Sequence, residues 1–203
     1  GVQTCALPIC LCATQYASEY MDVEIFREGY RYTLHFQHGE IAGEMEKEPV
    51  TGKKTGTTIR WKPDIQVFTE INVPQEYFAD MLQRQAVVNA GLTFLLRIEK
   101  ETGGWEEETF FYENGIVDYI REFVGEDSLT PIQFLEGERV GRDRKDKPDY
   151  KVKLNIAFCF SNKLKLLEYY HNSSWLEHGG SPEKATKSAF VSAIDKYLRD
   201  KGK

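Results

Sequence analysis

Lys54-Thr55-Gly56-Thr57-Thr58-Ile59-Arg60-Trp61-Lys62-Pro63-Asp64 is a polar loop that breaks into a β-strand. Gly56 supplies backbone freedom where the strand begins, Thr57 to Lys62 carry it, and Pro63-Asp64 stops it. Much further on, Trp175-Leu176-Glu177-His178-Gly179-Gly180 ends one element on a glycine pair directly before a helix. Between and around these two signals the chain alternates strand and helix patterns.

On the N-terminal side, Met21, Val23 and Ile25 alternate, Arg27-Glu28-Gly29 turns, and Tyr30, Tyr32, Leu34 and Phe36 alternate again, which predicts a β-hairpin with one buried face. His38-Gly39-Glu40 ends it, and Pro49 to Lys54 reads as a loop. On the C-terminal side, Pro74-Gln75-Glu76 opens a helix that Asn89-Ala90-Gly91 stops. Leu92 to Glu99 and Glu107 to Tyr112 read as a hairpin across Thr102-Gly103-Gly104, and Gly115 to Val124 as a short helix. Leu129-Thr130-Pro131 connects to a second run. There a strand spans Ile132 to Leu135, a charged loop Arg139 to Asp149, and a long strand Tyr150 to Phe158 with Leu164 to Tyr170 as its antiparallel partner. Ser181-Pro182-Glu183 starts the last helix with a hydroxyl cap and a first-turn proline. Its predicted buried stripe is Ala185, Ala189, Phe190, Ala193, Ile194, Tyr197 and Leu198. The class is α+β, with antiparallel sheets carrying helices on one face.

The 203 residues suffice for one domain and part of another, and 41% hydrophobic with 29% charged residues is a soluble globular composition. No apolar run is long enough to span a membrane. The net charge of -6 argues against this segment being the main DNA-gripping surface, which needs clustered Lys and Arg. Gly1 to Ile9 matches the translation of a sequencing-library adapter and reads as an artefact, with both ends of the chain cut. Outside it and its junction at Cys10, Cys12 and Cys159 lack metal-ligand spacing and read as buried reduced thiols in a cytoplasmic protein.

Two places invite chemistry. At Thr55-Gly56-Thr57 the glycine lets backbone approach a planar ring, and the Thr57 hydroxyl both donates and accepts, as an adenine edge requires; equally, Thr57 simply opens a strand. Arg27 in its tight turn either closes one wall of a ligand pocket or is a solvated hairpin arginine. His35, His38, His171 and His178 include no pair with zinc spacing. Gly179-Gly180 before a helix suggests a phosphate, but no Lys-Ser/Thr pair or Gly-x-Gly-x-x-Gly accompanies it.

Taken in order, five blocks resemble the B subunits of type IIA DNA topoisomerases, gyrase and topoisomerase IV. Leu11 to Tyr20 resembles the helix after that family's glycine-rich ATP lid, and Phe26-Arg27-Glu28-Gly29 its hairpin with an arginine at the rim of the ATP and coumarin pocket. Thr55-Gly56-Thr57-Thr58-Ile59-Arg60 resembles the strand whose threonine meets adenine and whose aliphatic residue lines the pocket. Tyr112-Glu113-Asn114-Gly115-Ile116 resembles the start of the last ATPase-domain helix, and Asn172 to Gly180 with its helix resembles the transducer domain. Many members continue the glycine pair with Thr-His-Glu, where this chain has Ser181-Pro182-Glu183.

The resemblance implies an internal fragment of a bacterial, cytoplasmic B subunit. Residues 10–130 would be the C-terminal part of a GHKL (Bergerat-type) ATPase domain. Residues 131–203 would begin a transducer domain of the ribosomal-protein-S5-domain-2-like type. Arg27, Gly56, Thr57 and Ile59 would contact nucleotide. ATP and Mg2+ are the implied cofactors of the full-length enzyme; DNA, the topoisomerase A subunit and a second B subunit are its implied partners. The general base and magnesium ligand would precede residue 10, leaving this segment without catalytic or metal residues of its own. The competing readings are another GHKL ATPase with a transducer domain, of mismatch-repair or chaperone type, and a non-enzymatic α+β interaction domain.

Overall fold

The computed structural model describes residues 7–142 and 144–202. The adapter reading of residues 1–9 lies outside them for the first six; the backbone of 7–9 begins a helix. The chain divides into two compact units, Gly1–Val73 and Pro74–Lys203.

In the first unit, α1 (Leu7–Tyr16) leads into β1 (Ser18–Arg27), β2 (Tyr30–Gln37), the short β3 (Glu40–Ile41) and β4 (Glu46–Pro49), and β5 (Gly56–Pro63). All pairings are antiparallel. β1 lies between β2 and β5, while β3 and β4 share the outer edge of β2, one at each end. The β1–β2 turn is Glu28-Gly29 with φ of 55° and 77°, the primed two-residue geometry that matches strand twist. The helix expected over Leu11 to Tyr20 ends at Tyr16, because Ser18 to Tyr20 already pair in the sheet. The Ser18 hydroxyl donates to the Thr14 carbonyl at 2.5 Å and Gln15 Nε2 to the Gly39 carbonyl at 2.7 Å, fixing the helix end to the sheet. Strand β4 is not announced by the sequence: Glu46 to Pro49 is exposed throughout and carries no alternation to read, and its pairing with β2 takes Pro49 out of the loop expected from Pro49 to Lys54.

Beyond β5 the chain turns on Asp64. Its buried carboxylate accepts from the Gln66 amide at 2.8 Å and pairs with His38 Nδ1 at 2.8 Å, closing the end of β5 onto the β2–β3 turn. These bonds hold the Asp64 carboxyl below its ordinary range, the Gln66 amide contributing most.

The second unit has a closed half. Helix α2 (Gln75–Val88) packs on the hairpin β6 (Thr93–Glu99) and β7 (Trp105–Phe111), with α3 (Ile116–Val124) beside it. Ala86, Val87, Phe110 and Tyr112 are buried there, ringed by Leu82, Phe94, Leu96, Ile116 and Tyr119. Pro74 is the N-cap of α2 rather than its first helical residue.

The remainder is more open. β8 (Gln133–Gly141) pairs with β9 (Tyr150–Phe158); β10 (Tyr170–His171) pairs with β11 (Ser174–Trp175); α4 runs over Ser181–Lys201. Three expectations are corrected here. Strand β8 reaches Gly141, because Arg139 to Gly141 pair with Tyr150 to Val152, so the charged loop is shorter. The partner of β9 is β8 and not Leu164 to Tyr170; residues 164–169 form no ladder despite their apolar content. The expected buried stripe of α4 has no buried member, and Gly180 rather than Ser181 is its N-cap, without a side-chain cap bond. Among the described residues, Phe190 is the member of the stripe with ring-to-ring contacts, edge-on to Phe158 at 5.1 Å and to Phe160 at 6.5 Å. Among the described residues no helix is long and apolar enough to cross a membrane.

Candidate functional site

Strand register decides which side chains share a face. Thr57 lies opposite Ile25, and Ile59 opposite Val23; across the other edge of β1, Ile25 faces Tyr32 and Val23 faces Leu34. Successive residues point to opposite sides, so Thr57, Ile59, Ile25, Val23, Tyr32 and Leu34 form one largely apolar face. Arg27 is in phase with Ile25 and ends that face roughly 7 Å further along β1. Gly56, paired with Phe26, opens the strand beside Thr57. Its φ is +150° and a Cβ there would meet nothing within 4 Å, so the backbone is bare and approachable. The four residues singled out from sequence therefore gather at one end of the β1–β5 ladder.

The face is accessible. Ile59 is 42% exposed. The Arg27 side chain is 74% exposed and donates from Nε to neighbouring Glu28 at 3.1 Å, an ion pair too solvated to hold it. Sequence reasoning missed a second cation: Lys47 on β4 lies opposite Tyr32, its ammonium 4.0 Å from the Tyr30 ring centre and 5.5 Å from that of Tyr32. The tyrosine alternation is legible in sequence, but nothing in Glu46 to Pro49 announces the strand that brings Lys47 to it. Ile25 and Val23 read as strand residues; their pairing with Thr57 and Ile59 follows only from register.

The reverse face is polar and neutralised in pairs. Arg31 Nε donates to Glu24 at 2.6 Å and Nη1 lies 3.5 Å from Glu48, with Glu24 the main cause of the guanidinium pKa being raised. His35 pairs with Asp22, and the Thr33 hydroxyl donates to Glu46 at 3.2 Å. Lys54 sits 3.6 Å from the centre of the Phe26 ring. A ligand on that side would have to displace existing ion pairs, whereas the face of Thr57 and Ile59 offers apolar surface, one hydroxyl and rim cations.

At the start of α4 the phosphate position is taken by the chain itself. The Glu183 carboxylate lies so close over Gly179 that a Cβ there would meet its Oε2 at 2.1 Å, and Lys187 Nζ donates to Glu183 Oε1 at 2.5 Å. Among the described residues no group of three His, Cys, Asp or Glu side chains could hold a metal ion. Cys159 is half-buried and free; Cys12, expected to be buried, is exposed on α1.

Comparison with known proteins finds similar sequences and a similar fold. The family model described as DNA gyrase B matches residues 115–203. The chain is 26% identical to the DNA topoisomerase 4 B subunit of Enterococcus faecalis over 91% of its length and 26% of that protein's. It is 30% identical to the topoisomerase 4 B subunit of Bacillus subtilis, covering 90% of this chain and 26% of the relative. With the DNA gyrase B subunit of Synechocystis it shares 25% identity over 92% of the chain and 17% of the relative. It thus spans about a quarter or less of these relatives. The fold is similar to the crystal structure of the 43K ATPase domain of Thermus thermophilus gyrase B in complex with an aminocoumarin. That match has a TM-score of 0.69 and 24% identity, over 93% of this chain and 49% of that one. The ordered motifs, the α+β architecture and these relatives agree: over about nine-tenths of its length the chain is similar to a segment of the B subunits of type IIA DNA topoisomerases.

Proposed function

We propose that this chain is the part of an ATP-hydrolysing topoisomerase B subunit that supplies one wall of its nucleotide site and the start of the transducer. The observation that carries the reading is the phase of the β1–β5 ladder, which puts Arg27, Thr57 and Ile59 on one face with Gly56 beside them. The residues fit a nucleotide: bare backbone at Gly56, an aliphatic wall at Ile59, a hydroxyl at Thr57 that satisfies an adenine edge directly or through one water, and a cation at the rim. Bound ATP would supply the phosphoanhydride whose hydrolysis resets the enzyme. The described residues include no metal-holding cluster, so no step is assigned to magnesium on this chain.

In the whole bacterial cytoplasmic enzyme, ATP binding would close a gate between two B subunits while an A subunit cuts and rejoins DNA. The domain boundary falls near residue 130 in this reading, with 10–130 in the ATPase domain and 131–203 in the transducer. The family-model match across 115–203 is compatible with that assignment.

Thr57→Val, made in a polypeptide restored with the family's upstream ATPase segment, tests the site. The change keeps the shape and removes donor and acceptor, leaving a polar atom of the base unmet. That costs about 1–3 kcal/mol, roughly tenfold to a hundredfold in affinity. Calorimetric nucleotide binding beside a thermal melt reads it; unchanged affinity with a normal melt removes Thr57 from the site.

A further inference from the structure

Within residues 74–203 a small hairpin is clamped onto the closed helical half. Tyr170 pairs with Trp175 and His171 with Ser174 around a turn at Asn172, whose φ is 53°. A ladder of four residues does not hold its own shape in water, so its geometry depends on what it touches. Three contacts supply that support. The Arg84 guanidinium lies 3.5 Å from the Trp175 ring centre. Gln85 Nε2 donates to the Ser173 carbonyl at 2.8 Å. Glu168, at the root of the hairpin, accepts from Tyr170 at 2.7 Å and from Tyr119 of α3 at 3.4 Å. Burial pushes the Tyr119 hydroxyl up to about 12 and raises that of Tyr170 as well, so both remain protonated donors. Tyr119 in turn stands edge-on to the buried Tyr112 at 5.8 Å, so the clamp is anchored in the core.

The other end of the hairpin leads into α4. Leu176 N donates to the Tyr169 carbonyl at 2.8 Å, and Gly179-Gly180 joins the hairpin directly to the helix. We infer that Glu168 to Leu176 is a releasable latch. Seated on Arg84, Gln85 and Tyr119, it ties the start of α4 to α2 and α3, and disengaged it frees that start while the helical core stays folded and Phe190 stays against Phe158. The polar and cation–π character of the three contacts, beside an apolar core that closes without them, makes release possible without unfolding. This goes beyond the nucleotide reading and rests on none of its residues.

Hydrogen exchange read by mass spectrometry on the chain itself tests the latch, with Arg84→Met and with the double variant Tyr119→Phe/Tyr170→Phe. Exchange should quicken roughly threefold to thirtyfold in peptides from 168 to 190, while peptides from 82–88 and 108–124 keep their protection. Arg84→Lys, which keeps the charge but loses the planar stack, should restore part of the difference. Unchanged exchange at 168–190 in both variants overturns the proposal, because the contacts are then passive. Equal loss of protection in 82–88 and 108–124 also overturns it, because the hairpin is then part of the core rather than a latch upon it.

Discussion

In α2, Ala86 and Val87 are 0% and 1% exposed, whereas in α4 Val191, Ile194, Tyr197 and Leu198 stand between 53% and 66% exposed. Both helices space apolar residues as a core-facing helix does. The difference lies in what each one meets: α2 lands on the β6–β7 hairpin and α3, while among the described residues the ring-to-ring contacts of α4 come from Phe190. Helical periodicity therefore states which residues a helix has available to bury, and the partner decides whether burial happens. The closed half of the second unit should be sensitive to substitution and the α4 stripe indifferent.

The largest effect should come from Val87→Asp. A carboxylate placed at that fully buried point has no partner, and an unpaired buried charge costs roughly 4 kcal/mol or more. Urea denaturation followed by far-UV dichroism should show the second unit unfolded or close to it. A loss below about 1 kcal/mol would mean that the α2 core is as yielding as α4.

Next in size is Gly115→Ala, at the N-cap of α3. Gly115 has φ of +54°, and a Cβ there would meet the Val87 carbonyl oxygen at 2.9 Å and the Ala90 Cβ at 3.2 Å. Backbone strain and the clash between α3 and α2 together predict a loss of roughly 2–3 kcal/mol. A melt within a degree or two of the parent would show that α3 can shift at no cost and that the core is not closed on that side.

A smaller effect should appear with pH. The carboxyls of Asp64 in the first unit and Asp118 in the second are both held below the ordinary range, chiefly by the backbone amides of Gln66 and Asn114. A depressed folded-state pKa gives stability that is fully present above the unfolded value, about 4, and is lost as pH falls through the folded one. Asp64→Asn should remove that share of the acid dependence from the first unit and leave the second unit's unchanged. Denaturation midpoints measured from neutral pH downward check it; an unaltered acid limb in Asp64→Asn contradicts the assignment.

What can be read from sequence follows the same divide. The β1–β2 hairpin, the β6–β7 hairpin, β5, α2 and α3 are legible because alternation, turn residues and helix stops agree locally. The failures are places where pairing outweighs pattern. β4 has no apolar alternation and exists because β2 has an open edge; β8 extends through Arg139 to Gly141 because β9 is long enough to pair with it. Residues 164–169 have apolar content without a ladder. In the candidate site, motif identifies Arg27, Gly56, Thr57 and Ile59, but the common face of Arg27, Thr57 and Ile59, with Gly56 beside it, depends on the register of β1 with β5, and Lys47 depends on β4. Motif names the residues; register gives them a surface.

The smallest effect is the one that tests the opening contrast most directly. Ile194 occupies the middle of the stripe on α4 and would be a core residue if the pattern alone governed. It is 53% exposed, so replacing it with aspartate neither opens a cavity nor strands a charge away from water. The helix loses a little propensity, and the carboxylate sits past the midpoint of a 21-residue helix, away from the positive end of its dipole. Together these keep the expected change in this chain within about 0.5 kcal/mol, far below that of Val87→Asp. Parallel urea titrations of the two variants give the comparison under one condition. If Ile194→Asp instead costs several kcal/mol, the α4 stripe is buried in solution, against another part of this chain or a second copy. Sedimentation of the parent at increasing concentration would then separate those two, since only a second copy makes the loss depend on concentration.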